Sequence, residues 1–210
     1  MKKALVLGGT GLIGQQLIDL LLQDNNYSVI ALVRKTLPIE NERLMQVIFD
    51  YENPNNEVII ADEVFCCLGT TIKVAGSQKA FYKVDFEYVL DIAKRAYRNG
   101  AKKFAMVSSM GANKNSNVFY SKTKGAIEEA VANIGYESLY IFRPSLLLGK
   151  RTGFRLGERI AQYFFTFFSF LIPKKYRAIQ ARQVAKAMID CMNAGNSGVH
   201  LFESDKIADF

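Results

Sequence analysis

Histidine and cysteine are scarce in this chain, with one His and three Cys among 210 residues. The single His200 has no histidine partner for a metal centre or a serine-protease arrangement, so both chemistries are disfavoured and no metal is expected. Cys66, Cys67 and Cys191 are odd in number and lack metal-binding spacing, which reads as reduced thiols in the core of a cytoplasmic protein. No apolar run approaches the ~20 residues of a spanning helix. Met1-Lys2-Lys3 leads into a run too short for a secretory signal, with no small-residue cleavage site. Zinc-finger, RNA-recognition and basic-zipper patterns are absent, so no nucleic acid is expected as partner. The net charge of +7 is spread along the chain, which suits an anionic ligand, an acidic surface or simply a solvated basic exterior.

What the chain does have is 50% hydrophobic residues, enough over this length for one sizeable core and short of two. The expectation is a single domain over residues 1–210, with about 150–195 forming a small C-terminal substrate or interface region. Near the start, Ala4-Leu5-Val6-Leu7 reads as a buried strand running into Gly8-Gly9-Thr10-Gly11-Leu12-Ile13-Gly14 and then a helical pattern to about Gln23. The glycines satisfy Gly9-x-Gly11-x-x-Gly14 and Gly8-x-x-Gly11-x-x-Gly14 together. Without Cβ atoms the backbone turns sharply, a pyrophosphate approaches the main chain, and free N–H groups at the helix start meet its charge. This strand, turn and helix predict a dinucleotide site.

A second strand, Ser28–Val33, ends in Arg34-Lys35, where an acidic residue would bind the ribose 2′-hydroxyl of NAD. Two cations at that place favour a 2′-phosphate, hence NADPH over NADH. A third strand over Met45–Asp50 offers Asp50 either to the adenine amino group or to the following turn. A fourth, Glu63–Leu68, stops at Gly69-Thr70-Thr71, and a long helix is expected over Ser77–Arg98 with Phe81, Val84, Tyr88, Val89, Ile92 and Ala96 on its apolar face. A fifth strand runs from Lys103 to Ser109.

Tyr120-Ser121-Lys122-Thr123-Lys124 then opens a helix, placing Tyr120 and Lys124 at i and i+4 on one face. A free tyrosine, with a pKa of about 10, is a sluggish proton donor at neutral pH. A neighbouring ammonium stabilises the phenolate and brings it toward the working range. Ser109 would hold a substrate oxygen as charge develops there. A Tyr-x-x-x-Lys pair alone arises easily by chance; its place after a Ser-Ser strand end, behind the glycine turn, is what makes it a candidate.

At these residues the sequence resembles the short-chain dehydrogenase/reductases, in the atypical group that contains the Tat-interacting oxidoreductases and their bacterial relatives. The resemblance runs through Gly8–Gly14, Phe65-Cys66-Cys67-Leu68-Gly69-Thr70-Thr71, Val84-Asp85-Phe86-Glu87-Tyr88-Val89, Ser108-Ser109-Met110-Gly111-Ala112, Tyr120 with Lys124, and Phe142-Arg143-Pro144-Ser145-Leu146-Leu147-Leu148. Cys-Cys-Leu-Gly-Thr-Thr is its specific marker. The resemblance implies a Rossmann-type, doubly wound α/β fold with a mostly parallel sheet, binding NADP(H). It implies Ser109, Tyr120 and Lys124 as the catalytic trio, Leu68, Gly69 and Thr70 beside the cofactor, and Pro144 with Leu146 near the nicotinamide. It favours Ser109 over Ser108, because Ser109 directly precedes the Met-Gly-Ala turn. The asparagine that many relatives carry in the helix after the fourth strand has no clear counterpart.

A sixth strand, Ser138–Phe142, a closing helix around Val184–Ile189 and a last strand over Gly198–Phe202 complete the expected sheet. Tyr163–Ile172 is aromatic almost all round a helix and flanked by Arg155, Arg159, Lys174, Lys175 and Arg177. A helix over the substrate cleft, a homodimer contact and a membrane-surface helix all stay open for it. The reading that results is an NADPH-dependent oxidoreductase reducing a small carbonyl compound. A regulatory protein that holds NADPH with little turnover is the alternative.

Overall fold

In the computed structural model of the chain the described residues are 1–149, 173 and 176–210. The aromatic run Tyr163–Ile172 therefore lies outside them. Within them, β1 (Lys2–Leu7), β2 (Tyr27–Val33), β3 (Leu44–Ile48), β4 (Glu63–Cys66), β5 (Lys103–Val107) and β6 (Ser138–Arg143) join a last strand, Gly198–Glu203, in one sheet. A separate two-stranded ladder pairs β7 (Leu147–Leu148) with β8 (Ile179–Gln180), so the last strand of the main sheet is β9. The sheet order is β3-β2-β1-β4-β5-β6-β9, and every neighbouring pair is parallel.

The strands are continuous apolar runs because both faces are covered, as parallel sheets require. In β1, Ala4 and Val6 face a core that contains Leu17, Ile18, Val29, Val184 and Met188, while Leu5 and Leu7 face a second core with Val64, Ile92, Phe104 and Ile127. Helix α1 (Leu12–Gln23) packs against α6 (Ala181–Ala194) on the first face. Helices α4 (Val89–Arg98) and α5 (Phe119–Ala132) pack together on the second. The closing helix is longer than the pattern suggested, and a short α7 (Ser204–Ile207) follows β9.

The expected helix over Ser77–Arg98 differs in its interior. A one-turn α2 (Ile72–Ala75) precedes it, Ser77 Oγ accepts from Ala80 N–H at its start, and α3 (Gln78–Tyr82) continues through a π-helical stretch, Lys83–Tyr88, into α4. That widened turn rotates the face. Asp85 is 1% exposed beside Phe81 and Val89 on the buried side, whereas Val84 and Tyr88 are only half-buried. The apolar pattern could not show this, because it assumed a uniform 3.6-residue turn.

At the amino end of the central strand β4, the Glu63 carboxylate is buried. It accepts from the Tyr27 hydroxyl at 2.8 Å and pairs with Lys2 at 3.1 Å and Lys103 at 3.4 Å. Lys2 and Tyr27 also donate to Asn193 Oδ1, which ties the end of α6 to β1 and β2. Burial, and then the hydrogen bond to Glu63, pushes the Tyr27 phenol well above the usual range.

Candidate functional site

The strand order reverses between β1 and β4, and the carboxyl ends of these two strands open the crevice where sheets of this kind bind ligands. Cys67 N–H still bonds Leu7 O at 2.9 Å, so the backbones run together one residue beyond β4 before parting. Gly8 follows with φ +75°, and a Cβ there would stand 2.5 Å from Cys67 O. Only glycine makes this turn. Gly11 N–H closes it onto Gly8 O at 2.9 Å. A Cβ on Gly14 would lie 2.3 Å from Gly8 O, so the first turn of α1 is pressed onto the loop that precedes it. The start of α1 has no side-chain cap and no acidic residue in its first turn, which leaves its positive end to an anion. Thr10 is exposed, its carbonyl accepting from Gln15 Nε2, while Leu12 is half-buried and Ile13 fully buried in the core. The loop from Gly8 to Gly14 thus fits a dinucleotide pyrophosphate.

Arg34 and Lys35 follow the end of β2 on the same edge of the sheet as Gly8, and both are exposed. Neither forms an ion pair among the described residues. Arg34 stands near enough to the Tyr51 phenol for its charge to act there; burial, the larger influence, holds that phenol above the usual tyrosine range. Asp50 uses one carboxylate oxygen on Glu52 N–H and the other on Asn53 Nδ2, so it closes its turn. Those bonds hold its carboxyl below the usual range.

The second half of the crevice is built around Lys124. Its ammonium lies 2.7 Å from Asp85 Oδ1, with the lysine side chain 7% exposed and the aspartate side chain 0%. The other carboxylate oxygen of Asp85 accepts from Thr70 N–H at 2.8 Å. A Cβ built on Gly69 would stand 3.3 Å from Asp85 Oδ1 and 3.6 Å from Lys124 Nζ, so the backbone of the Gly69-Thr70 loop passes directly over the pair. Leu68 packs against the core beneath it. Burial alone would push the Lys124 ammonium down. The Asp85 charge, the Tyr120 phenol and the hydrogen bond to Asp85 outweigh it and hold Lys124 above its usual range.

Tyr120 sits in the first turn of α5, half-buried, its ring 5.3 Å from that of Phe81, one turn before Asp85. Two contacts set the position of α5. Gly125 packs on the backbone of Asn113 and Lys114, and Glu128 receives a two-point hydrogen bond from Arg143 at the end of β6, 2.9 Å at Nε. That bond holds the Arg143 guanidinium above its ordinary range.

Ser109 follows β5, half-buried, and its Oγ donates at 3.3 Å to Met110 O. Ser108 turns its Oγ into the interior, where it finds no hydrogen-bond partner. Met110 N–H donates to Pro144 O at 3.3 Å, which sets buried Pro144 beside the Ser109-Met110 turn. Leu146, two residues on, is 43% exposed. Cys66, Cys67 and Cys191 are free thiols. No cluster of metal-ligating side chains occurs among the described residues.

The structure thus brings Lys124, Thr70 and Gly69 together around Asp85, a residue to which sequence reasoning assigned no role, with Tyr120 beside Phe81 one turn before it. Asp85 was visible only as one acid inside Phe81–Val89, a stretch otherwise able to pack inward. It stands on the helix after β4, where the family's asparagine was sought.

Residues 8–194 match the family model described as NAD(P)H-binding. The chain belongs to this NAD(P)H-binding family. It is 33% identical over 221 residues to Protein HTATIP2 of Rattus norvegicus, covering 98% of this chain and 88% of that one. It is 31% identical to Protein FMP52, mitochondrial, of Candida albicans, covering 92% and 89%. Among solved structures, MoeE5 in complex with UDP-glucose and NAD superposes with a TM-score of 0.74 at 14% identity, covering 99% of this chain and 80% of that one. A short chain dehydrogenase family protein from Francisella tularensis gives 0.68 at 18% identity, covering 99% of each chain. These likenesses establish a Rossmann-type fold for this NAD(P)H-binding chain. Among the described residues no helix is long and apolar enough to cross a membrane.

Proposed function

We propose that this NAD(P)H-binding protein is an NADPH-dependent reductase of a small, apolar carbonyl compound. The observation that carries the reading is the buried Lys124 ammonium, held by Asp85 at 2.7 Å under the Gly69-Thr70 loop with Tyr120 one turn away on the same helix. In this reading Gly8–Gly14 receives the pyrophosphate, and Arg34 with Lys35 bonds the 2′-phosphate. Leu68, Gly69, Thr70, Pro144 and Leu146 border the nicotinamide. When bound, the reduced cofactor supplies a hydride to the carbonyl carbon. Ser109 donates a hydrogen bond to the carbonyl oxygen, Tyr120 gives that oxygen its proton, and Lys124 steadies the phenolate left behind.

The test is a fluorescence titration of the purified protein with NADPH and with NADH, followed by turnover of bound NADPH against aldehydes, ketones and quinones. Tight NADPH binding with turnover supports the reductase. Tight binding without turnover on any compound favours a regulatory protein that senses NADPH. The basic-flanked aromatic run Tyr163–Ile172 supports that second reading. Co-sedimentation with anionic vesicles, and the oligomeric state in solution, separate its membrane-surface and homodimer forms. We place the protein in the cytoplasm; because the FMP52 relative is named mitochondrial, cell fractionation is the check.

A further inference from the structure

Three neighbouring segments carry candidate side chains: the loop after β5 with Ser109, the first turns of α5 with Tyr120 and Lys124, and the end of β6, which runs into Pro144. Helix α5 touches the loop closely at Gly125, where a Cβ would stand 2.2 Å from Lys114 N. Beside that contact a cavity of about 520 Å³ opens, bordered by Asn113 and Lys114 of the loop, Glu128 and Glu129 of α5, and Ile141 and Arg143 of β6. A void supplies no packed side chains to hold a helix, so its position on that side depends on discrete ties. On its other side α5 is packed, with Ile127 and Val131 in the second core. Across to β6 the tie is the Glu128 carboxylate, which accepts from Arg143 Nε at 2.9 Å and from Nη2 as well. These side chains are 7% and 19% exposed. A planar guanidinium on a carboxylate fixes orientation as well as distance. Lys114 pairs with Glu129 at the same cavity, but both side chains are about half exposed and solvent screens them. Backbone bonds complete the ring: Met110 N–H donates to Pro144 O at 3.3 Å, and Asn113 N–H to Ser121 O at 3.0 Å.

We propose that Arg143 and Glu128 are positioning residues: their pair sets α5, with Tyr120 in its first turn, against the strand end that carries Pro144, and so holds the proton donor in register with the nicotinamide. This rests on the reductase reading and deepens it. In that reading hydride reaches the carbonyl carbon from a cofactor bordered by Pro144, and the proton reaches the oxygen from α5. An error of about 1 Å between the two elements therefore costs about 10²-fold in rate. The Gly8–Gly14 loop belongs to other elements, β1 and α1, so cofactor affinity does not follow the pair.

The experiment compares the full chain with Arg143→Lys, which keeps the charge and loses the fork, and with the apolar pair Glu128→Leu/Arg143→Met. Steady-state rates, NADPH titration, thermal melting and amide hydrogen exchange by mass spectrometry are read on each. Arg143→Lys should lower kcat about tenfold or more, with KM and the NADPH dissociation constant within about threefold of the parent. Exchange should quicken over residues 110–125, where the loop meets α5, while residues 127–132 stay protected. The apolar pair should melt near the parent temperature, since such pairs often replace buried ions without loss. It should still show the low kcat and the quickened exchange, because apolar contact fixes no orientation. An apolar pair that restores both stability and rate makes the ion pair merely structural and overturns the proposal. So does unchanged exchange in Arg143→Lys, whatever the turnover, or unchanged kcat in an active protein. Should Arg143→Lys not fold, Glu128→Gln, which keeps the side-chain shape and removes the charge, takes its place. Quickened exchange over residues 110–125 in a protein whose parent reduces no carbonyl would sink the reductase reading and keep the role of the pair in setting α5.

Discussion

Asp85 Oδ1 lies 2.7 Å from Lys124 Nζ, and neither side chain is more than 7% exposed. A buried pair of this kind costs several kcal/mol per ion in lost solvation, and hydrophobic residues of the same volume would often be at least as stable. The pair stands beside the Gly69-Thr70 loop that follows β4, with Thr70 N–H on the second carboxylate oxygen at 2.8 Å.

The pair gives the protein an alkaline limit. Because Lys124 is held above the ordinary lysine value in the folded state, its contribution to stability is complete below that value and is lost as pH rises through the folded one. Denaturant melts over the alkaline range should show stability falling from the ordinary lysine value of 10.5 upward more steeply in the parent than in the double variant Asp85→Asn/Lys124→Met. Equal slopes would mean that Lys124 is not linked to folding.

Tyr120→Phe removes one hydroxyl and keeps the ring contact with Phe81 at 5.3 Å. The reductase reading expects turnover to fall by about 10²-fold or more while the affinity for NADPH changes little. Steady-state rates alongside a fluorescence titration measure both, and retained activity would take Tyr120 out of the mechanism.

Exchanging Arg34 for Asp and Lys35 for Ala removes two exposed cations at the end of β2. Preference for NADPH over NADH should vanish or reverse, seen as a ratio of dissociation constants near or below one, with little change in melting temperature. Unaltered selectivity would place the 2′-phosphate elsewhere.

Gly14→Val would drive a side chain into Gly8 O, where even a Cβ would stand at 2.3 Å. The turn must shift to admit it, so cofactor affinity should drop by about tenfold or more and stability by about 1–3 kcal/mol. Calorimetric titration and thermal melting read the two losses, and unchanged binding would separate the glycine turn from the nucleotide.

What could be read along the chain was whatever depends on near neighbours. The apolar run of β1, the glycines after it, the helical period of α1 and the i, i+4 placement of Tyr120 and Lys124 are local, so residue order alone determined them. Strand ends came out one to two residues off, as for β4, which stops at Cys66 while its backbone follows β1 for one residue more. That Asp50 accepts from Glu52 N–H and Asn53 Nδ2 needed coordinates, since a carboxylate after a strand can turn to several partners. Asp85 depended on still more. A π-helical turn had to rotate it inward, α5 had to be braced by Glu128 and Arg143, and the Gly69-Thr70 loop had to close over it. Each of those contacts joins segments distant in sequence, and long-range packing in three dimensions is what decides whether a lone acid on an apolar helix face is a surface charge or the partner of a buried lysine.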